Sequence, residues 1–224
     1  MIKISNAELN ILNNDFRKFQ SRIVQSKKQD TAYFVSQISH FEKKYKKAGL
    51  ERSFASNIFE FAEKMRKMGI DDFPGIIFSN LMKMPFLKPQ VKEFYAIKAL
   101  EFAEERGDTI HVLARLVDLE KMYKKSGETH KYARVLFRQE KALIKICSDF
   151  KSAKDNYKTY SRKHNQLKKY EMELAKTRVD IAKVILKSNP KQAKIILEKA
   201  RTVFDREKRQ KEVDFINLML SEIK

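Results

Sequence analysis

Apolar residues recur at spacings of three and four along almost the whole chain, while strand-like alternation is nearly absent. After Asp108 they are Ile110, Leu113, Ala114, Leu116, Val117, Leu119 and Tyr123, one face of a helix. Gly49, Gly69, Gly107 and Gly127 each close such a stretch, in KKAG, RKMG, EERG and KKSG. Cations before a glycine suit the carbonyl end of a helix, and glycine suits the left-handed residue that ends it. Start signals follow at Asp71-Asp72 with Pro74, Asp108-Thr109 and Glu128-Thr129, and prolines stand in the first turn at Lys88-Pro89 and Asn189-Pro190. The pattern predicts helices near 5–28, 31–48, 51–68, 72–83, 89–106, 109–126, 129–150, 155–188, 190–205 and 207–223, with a bend or break in 155–188 before Lys168. Short glycine turns make neighbouring helices antiparallel hairpins, so the expected fold class is all-α. The irregular run MKMPFLKP, residues 82–89, divides the chain into N-terminal hairpins (1–84) and a repeat region (85–224), expected to form one continuous solenoid.

Internal repetition separates a solenoid from a bundle. LVDLEKMYKKSGE carries Leu116, Leu119, Glu120 and Tyr123, then Gly127 and Glu128 at the turn, with Ala133 and Phe137 beyond it. Before it, AIKALEFA carries Ala96, Leu100 and Ala103. The same shape returns in RVDIAKVI, with Ile181, Ala182 and Ile185, and in AKIILEKA, with Ala193, Leu197 and Ala200. Thirteen positions separate Ala103 from Leu116, and thirteen separate Ala200 from Val213, after which Ile216 and Leu220 continue the stripe. Over roughly 89–223 the chain resembles the tetratricopeptide repeat family. It has no tryptophan, and Glu120 and Glu140 stand where that pattern has small residues. The resemblance implies a right-handed α-solenoid whose first helices line a peptide-binding groove. Matched onto it, Lys121, Lys124, Lys183 and Lys187 project beside the apolar knobs, which implies a non-enzymatic scaffold that takes an acidic protein segment.

The formal net charge is +19, which attracts polyanions, although solvated basic helix faces account for it equally well. The segment 151–170, KSAKDNYKTYSRKHNQLKKY, sets many cations against one acid and interleaves tyrosines. Lys154, Tyr157, Lys158, Tyr160, Arg162, Lys163, Lys168 and Lys169 are its candidate nucleic-acid contacts, with cations for phosphates and rings for unpaired bases. A solvated hairpin tip explains the same residues. The last helix, VDFINLMLSEIK, presents an apolar stripe that could serve self-association.

Other chemistry is sparse. Five glycines spread singly form neither a phosphate loop nor a dinucleotide turn. Of the histidines His40, His111, His130 and His164, only His111 with His130 could meet across a hairpin, and a satisfied or solvated imidazole is the ordinary reading. No catalytic residue, metal or cofactor is expected. Phe54, Phe59, Phe61, Phe94, Phe102 and Phe137 fall on apolar stripes and read as core. The methionines of FAEKMRKMG and NLMKMPF read as core fillers or as an adaptable groove. Cys147, the single cysteine, reads as a small core residue and suits a reducing compartment. No apolar run reaches the length of a membrane span, and the N-terminus lacks a signal-peptide core, so a cytoplasmic location is expected.

Overall fold

The computed structural model describes residues 5–26, 30–70, 73–152 and 157–223, and for Asn6 and residues 157–163 the backbone alone. The described residues form ten helices and no strand: α1 Asn6–Gln25, α2 Thr31–Lys47, α3 Glu51–Lys67, α4 Pro74–Leu81, α5 Pro89–Glu105, α6 Thr109–Ser126, α7 Thr129–Ser152, α8 Tyr157–Ile185, α9 Pro190–Arg206 and α10 Gln210–Ser221. The expected all-α class holds, and each boundary falls close to its predicted place. In the 155–188 segment, residues 155 and 156 lie outside the described residues, and α8 runs without a break from Tyr157 to Ile185. No glycine or proline lies inside it, so its length alone gave no point at which the helix must break.

The stop signals work as read. Gly49, Gly69, Gly107 and Gly127 all have positive φ, between 66° and 74°. At the starts, the Asp108 carboxylate accepts from the His111 amide at 3.1 Å, and Asn189 Oδ1 accepts from the Gln192 amide at 3.1 Å. Asp71 and Asp72 lie outside the described residues. The cap of α1 carries a signal that the apolar pattern did not reveal: Ser5 and Glu8 form a reciprocal capping box, the Ser5 amide donating to Glu8 Oε2 at 2.8 Å.

The chain divides into two compact units, Met1–Phe102 and Ala103–Lys224. In the first, α1 packs on α2, α2 on α3 and α3 on α4 around an aromatic core. Phe34 and Phe73 stack at 4.0 Å, Phe16 meets Phe41 edge-on at 5.0 Å, and Phe54, Phe61 and Phe102 join the same core, together with Met65 and Met84. This use of rings accounts for many of the sixteen phenylalanines. Phe94 departs from the expected core role: it is 45% exposed and packs sideways on Phe59 and Tyr95. Met68 is half exposed as well.

In the second unit the packing again runs from each helix to the next, α6 on α7, α7 on α8, α8 on α9 and α9 on α10. The small residues Ala175, Ala182, Ala193 and Ala200 are fully buried beside Leu197 and Ile216. Small side chains at these positions let helix axes approach, and the larger knobs fill the space between. Leu116, Leu119 and Tyr123 on α6 are buried too, as their spacing predicts.

Candidate functional site

The second unit carries the most chemically distinctive surface, a groove of about 340 Å³ beside α8 and α10. Val179 and Phe204 form part of its apolar wall, with the Phe215 ring at one side. Around them stand the cations Lys176, Lys183 and Lys211 and the carboxylates Asp180 and Glu212. The helical period dictates this arrangement. Lys176, Val179, Asp180 and Lys183 follow each other at one turn or less on α8, and Lys211, Glu212 and Phe215 do so on α10. Val213 and Ile216 turn into the core, so Phe215 between them is left facing outward, 45% exposed.

Lys183 is the hinge of the groove. Its Nζ lies 5.2 Å from the centre of the Phe215 ring and donates to Asp180 Oδ1 at 3.0 Å. An ammonium over a ring face is held by the ring's quadrupole, and partial desolvation strengthens the contact. Glu212 is engaged by Arg209, which holds its carboxyl below the ordinary range. Lys176 pairs with Glu173 at 3.0 Å. Among the described residues Lys211 makes no ion pair, which leaves one uncommitted cation at the rim.

The other lysines singled out by the repeat resemblance are spread more widely. Lys121 and Lys124 are exposed on α6, and Lys187 is exposed in the turn after α8. Of the four, Lys183 lines the groove beside α8 and α10. Between α6 and α8 the surface includes acids as well. The Tyr132 hydroxyl on α7 is pushed up to about 12, first by burial and then by the negative charges of Asp180 and Glu120. Phe215, Lys176 and Lys211 were not singled out by sequence reasoning. The last helix was read for its stripe alone, and the outward Phe215 could have been found as the aromatic that breaks that stripe's register.

The basic 151–170 segment is partly committed to internal bonds. Lys168 donates to Glu207 at 2.9 Å, and Lys151 to Glu171 at 2.8 Å, while Arg206 engages both acids. Burial raises the Glu171 carboxyl, but bonds from Lys151 and Arg206 outweigh it and bring the group below the usual carboxylate range. Lys169 is exposed on α8. Lys154 lies outside the described residues, as do the side chains of Tyr157, Lys158, Tyr160, Arg162 and Lys163.

Cys147 is buried, and burial followed by the nearby Glu171 charge pushes its thiol up, away from the reactive thiolate form. His111 Nδ1 lies 2.6 Å from Asp108 Oδ2, within its own helix cap. Among the described residues, no group of three or more His, Cys, Asp or Glu could hold a metal ion. Among them also, no helix is long and apolar enough to cross a membrane.

No protein-family profile and no curated protein matches the chain. One solved structure is similar, a circular tandem repeat protein with novel repeat topology and enhanced subunit contact surfaces. The identity is 12%, the match covers 84% of this chain and 44% of that one, and the TM-score is 0.28. The chain therefore spans less than half the length of that protein.

Proposed function

We propose that this chain is a non-enzymatic interaction scaffold of tetratricopeptide-like type, which holds an acidic segment of a partner protein. The observation that carries this reading is the position of Lys183, over the exposed Phe215 ring and beside an apolar groove edged by Lys176 and Lys211. Such a groove suits a side chain that buries apolar surface while carboxylates next to it meet the ammonium groups. Lys121 and Lys124 on α6 and Lys187 after α8 are further exposed cations of the same unit. A reducing, cytoplasmic setting suits the single buried thiol.

The test is charge reversal. Lys121→Glu with Lys183→Glu should abolish capture of the partner while the helical circular-dichroism signal stays unchanged. Full retention of the partner by this variant would remove the assignment.

Nucleic-acid binding through the 151–170 segment is the second reading, favoured by the net charge of +19 and the exposed Lys169. It requires affinity for single-stranded RNA or duplex DNA that falls steeply with salt, yet persists near physiological ionic strength. A third reading is a second copy of the chain on the Phe215 surface, because Leu218 one turn further along α10 is 59% exposed. Sedimentation that changes with protein concentration would identify that case.

A further inference from the structure

A second groove, of about 350 Å³, opens where the N-terminal half of α6 meets α7. Val112, Leu116 and Ala142 line it, and its surface is mainly apolar. Its edge is cationic: Arg138, Lys141 and Lys145, all exposed, come from α7. With Arg134 they fall at i, i+4, i+7 and i+11, which places four cations within an arc of about 60° on the helix surface, over about 16 Å of its length. The buried face of α7 (Leu136, Leu143 and Ile146) lies on the opposite side, so packing does not need these cations. Arg138 is engaged by Glu104. Among the described residues Arg134, Lys141 and Lys145 make no ion pair.

Three features choose the occupant. The cations call for an anionic partner. An apolar lining with no aromatic ring offers nothing for bases to stack on, which disfavours a nucleic-acid strand. The spacing fits an extended peptide, whose side chains return to the same face about every 6.6 Å, against about 6 Å between Lys141 and Lys145 along the helix. We propose that the α6–α7 groove is a second docking site, for an acidic peptide segment with apolar side chains between its carboxylates. The carboxylates meet Lys141 and Lys145, and an apolar side chain enters towards Val112 and Leu116. Glu104 repels a carboxylate at the Arg138 end and so sets the direction in which the segment lies. The proposal draws on the scaffold reading only for the class of partner. Its residues are different, and it is tested separately.

The experiment uses the full chain and a fluorescent ten-residue peptide of alternating glutamate and leucine, followed by anisotropy. The Lys183 groove is first disabled by K183E/K211E, and K141E/K145E is then added. The expected result is two-site binding by the parent, reduced to a single site by the first pair of changes, with that remaining site weakened at least tenfold by the second. K141Q/K145Q serves as a milder pair should charge reversal disturb the helix. Loss of all binding on K183E/K211E alone would overturn the α6–α7 site, and so would indifference to both second pairs. Equal affinity for a glutamate–serine peptide would overturn it too, because the apolar lining would then have no part. Tighter binding of an oligothymidylate of the same charge would replace the peptide by a nucleic acid. Unchanged binding on K183E/K211E, followed by loss on adding K141E/K145E, would instead count against the Lys183 groove and leave the α6–α7 site standing.

Discussion

Arg178 on α8 donates through Nε to Glu140 on α7 at 2.9 Å, and the two side chains are only 13% and 17% exposed. A second acid of this kind, Glu120 on α6, accepts from the Gln139 amide of α7 at 2.9 Å. These are the two carboxylates that stand where a tetratricopeptide pattern has small residues. Each has its own donor from the neighbouring helix, so polar bonds replace close approach at these two points. Removing one partner leaves a poorly hydrated charge behind. Arg178→Ala should therefore cost about 2 kcal/mol in urea unfolding. The paired change E140L/R178M should recover most of that loss, because an apolar pair needs no donor. Equal destabilisation by the single and paired variants would contradict this account.

Acid should loosen the junction of α7, α8 and α9. The carboxyls of Glu171 and Glu207 titrate below the ordinary range, so the stability they supply is complete above pH about 4.5 and is lost as pH falls through their lower folded values. A plot of the urea midpoint against pH should fall below about 4.5 in the parent, and E171Q should flatten that fall. An identical slope in parent and variant would mean the network contributes nothing.

At the alkaline end the sign reverses. The Tyr132 hydroxyl titrates at about 12, against 10.0 for a free tyrosine. Between these two values the unfolded chain loses a proton that the folded chain keeps, so stability falls as pH rises from about 10 to about 12. Tyr132→Phe should remove its part of that fall, read from the difference between the two near-ultraviolet tyrosinate titrations and unfolding curves.

Two glycines should respond to alanine with opposite signs. Gly127 has φ 74° and open space where a Cβ would go, so Gly127→Ala costs only backbone strain, about 1 kcal/mol. Gly75 sits in the first turn of α4 without positive φ, and a Cβ there would meet the Phe102 ring at 3.4 Å. Gly75→Ala should be neutral or stabilising by up to about 1 kcal/mol, since a helix prefers alanine. Thermal melts of the two variants give the comparison directly.

Phe215→Ala should leave the melting temperature within about 2 °C of the parent, because a half-exposed ring outside the core contributes little to folding. In a K141E/K145E background, where only the Lys183 groove remains, the same change should weaken an acidic–apolar ligand at least tenfold, measured by anisotropy with a labelled peptide. A stability loss as large as that of Ile216→Ala would make Phe215 a core residue instead.

The helices were legible because their punctuation is local. Glycine after cations and an acid or proline at the next start act over three or four residues, and each was visible in the chain itself. The buried alanines of α9 were legible through their spacing. The grooves were not, because they depend on which side of one helix faces which neighbour. Lys183 was found through its place in the repeat pattern. Its partner Phe215 lies 32 residues away, on a helix whose apolar stripe already accounted for its composition. No break falls in α8 between Tyr157 and Ile185, because length without glycine or proline does not interrupt backbone hydrogen bonds. Lys151 and Lys168 looked free in the sequence because their acids, Glu171 and Glu207, come from later in the chain.

The packing of the second unit from each helix to the next also has a mechanical side. Layers joined mainly to their immediate neighbours come apart in sequence under load, one boundary at a time. A pull on the end of α10 acts first on its seam with α9, and opening that seam draws Phe215 out from under Lys183 before α6, α7 and α8 are disturbed. Tension would therefore release whatever is held at that groove while the rest of the unit remains folded.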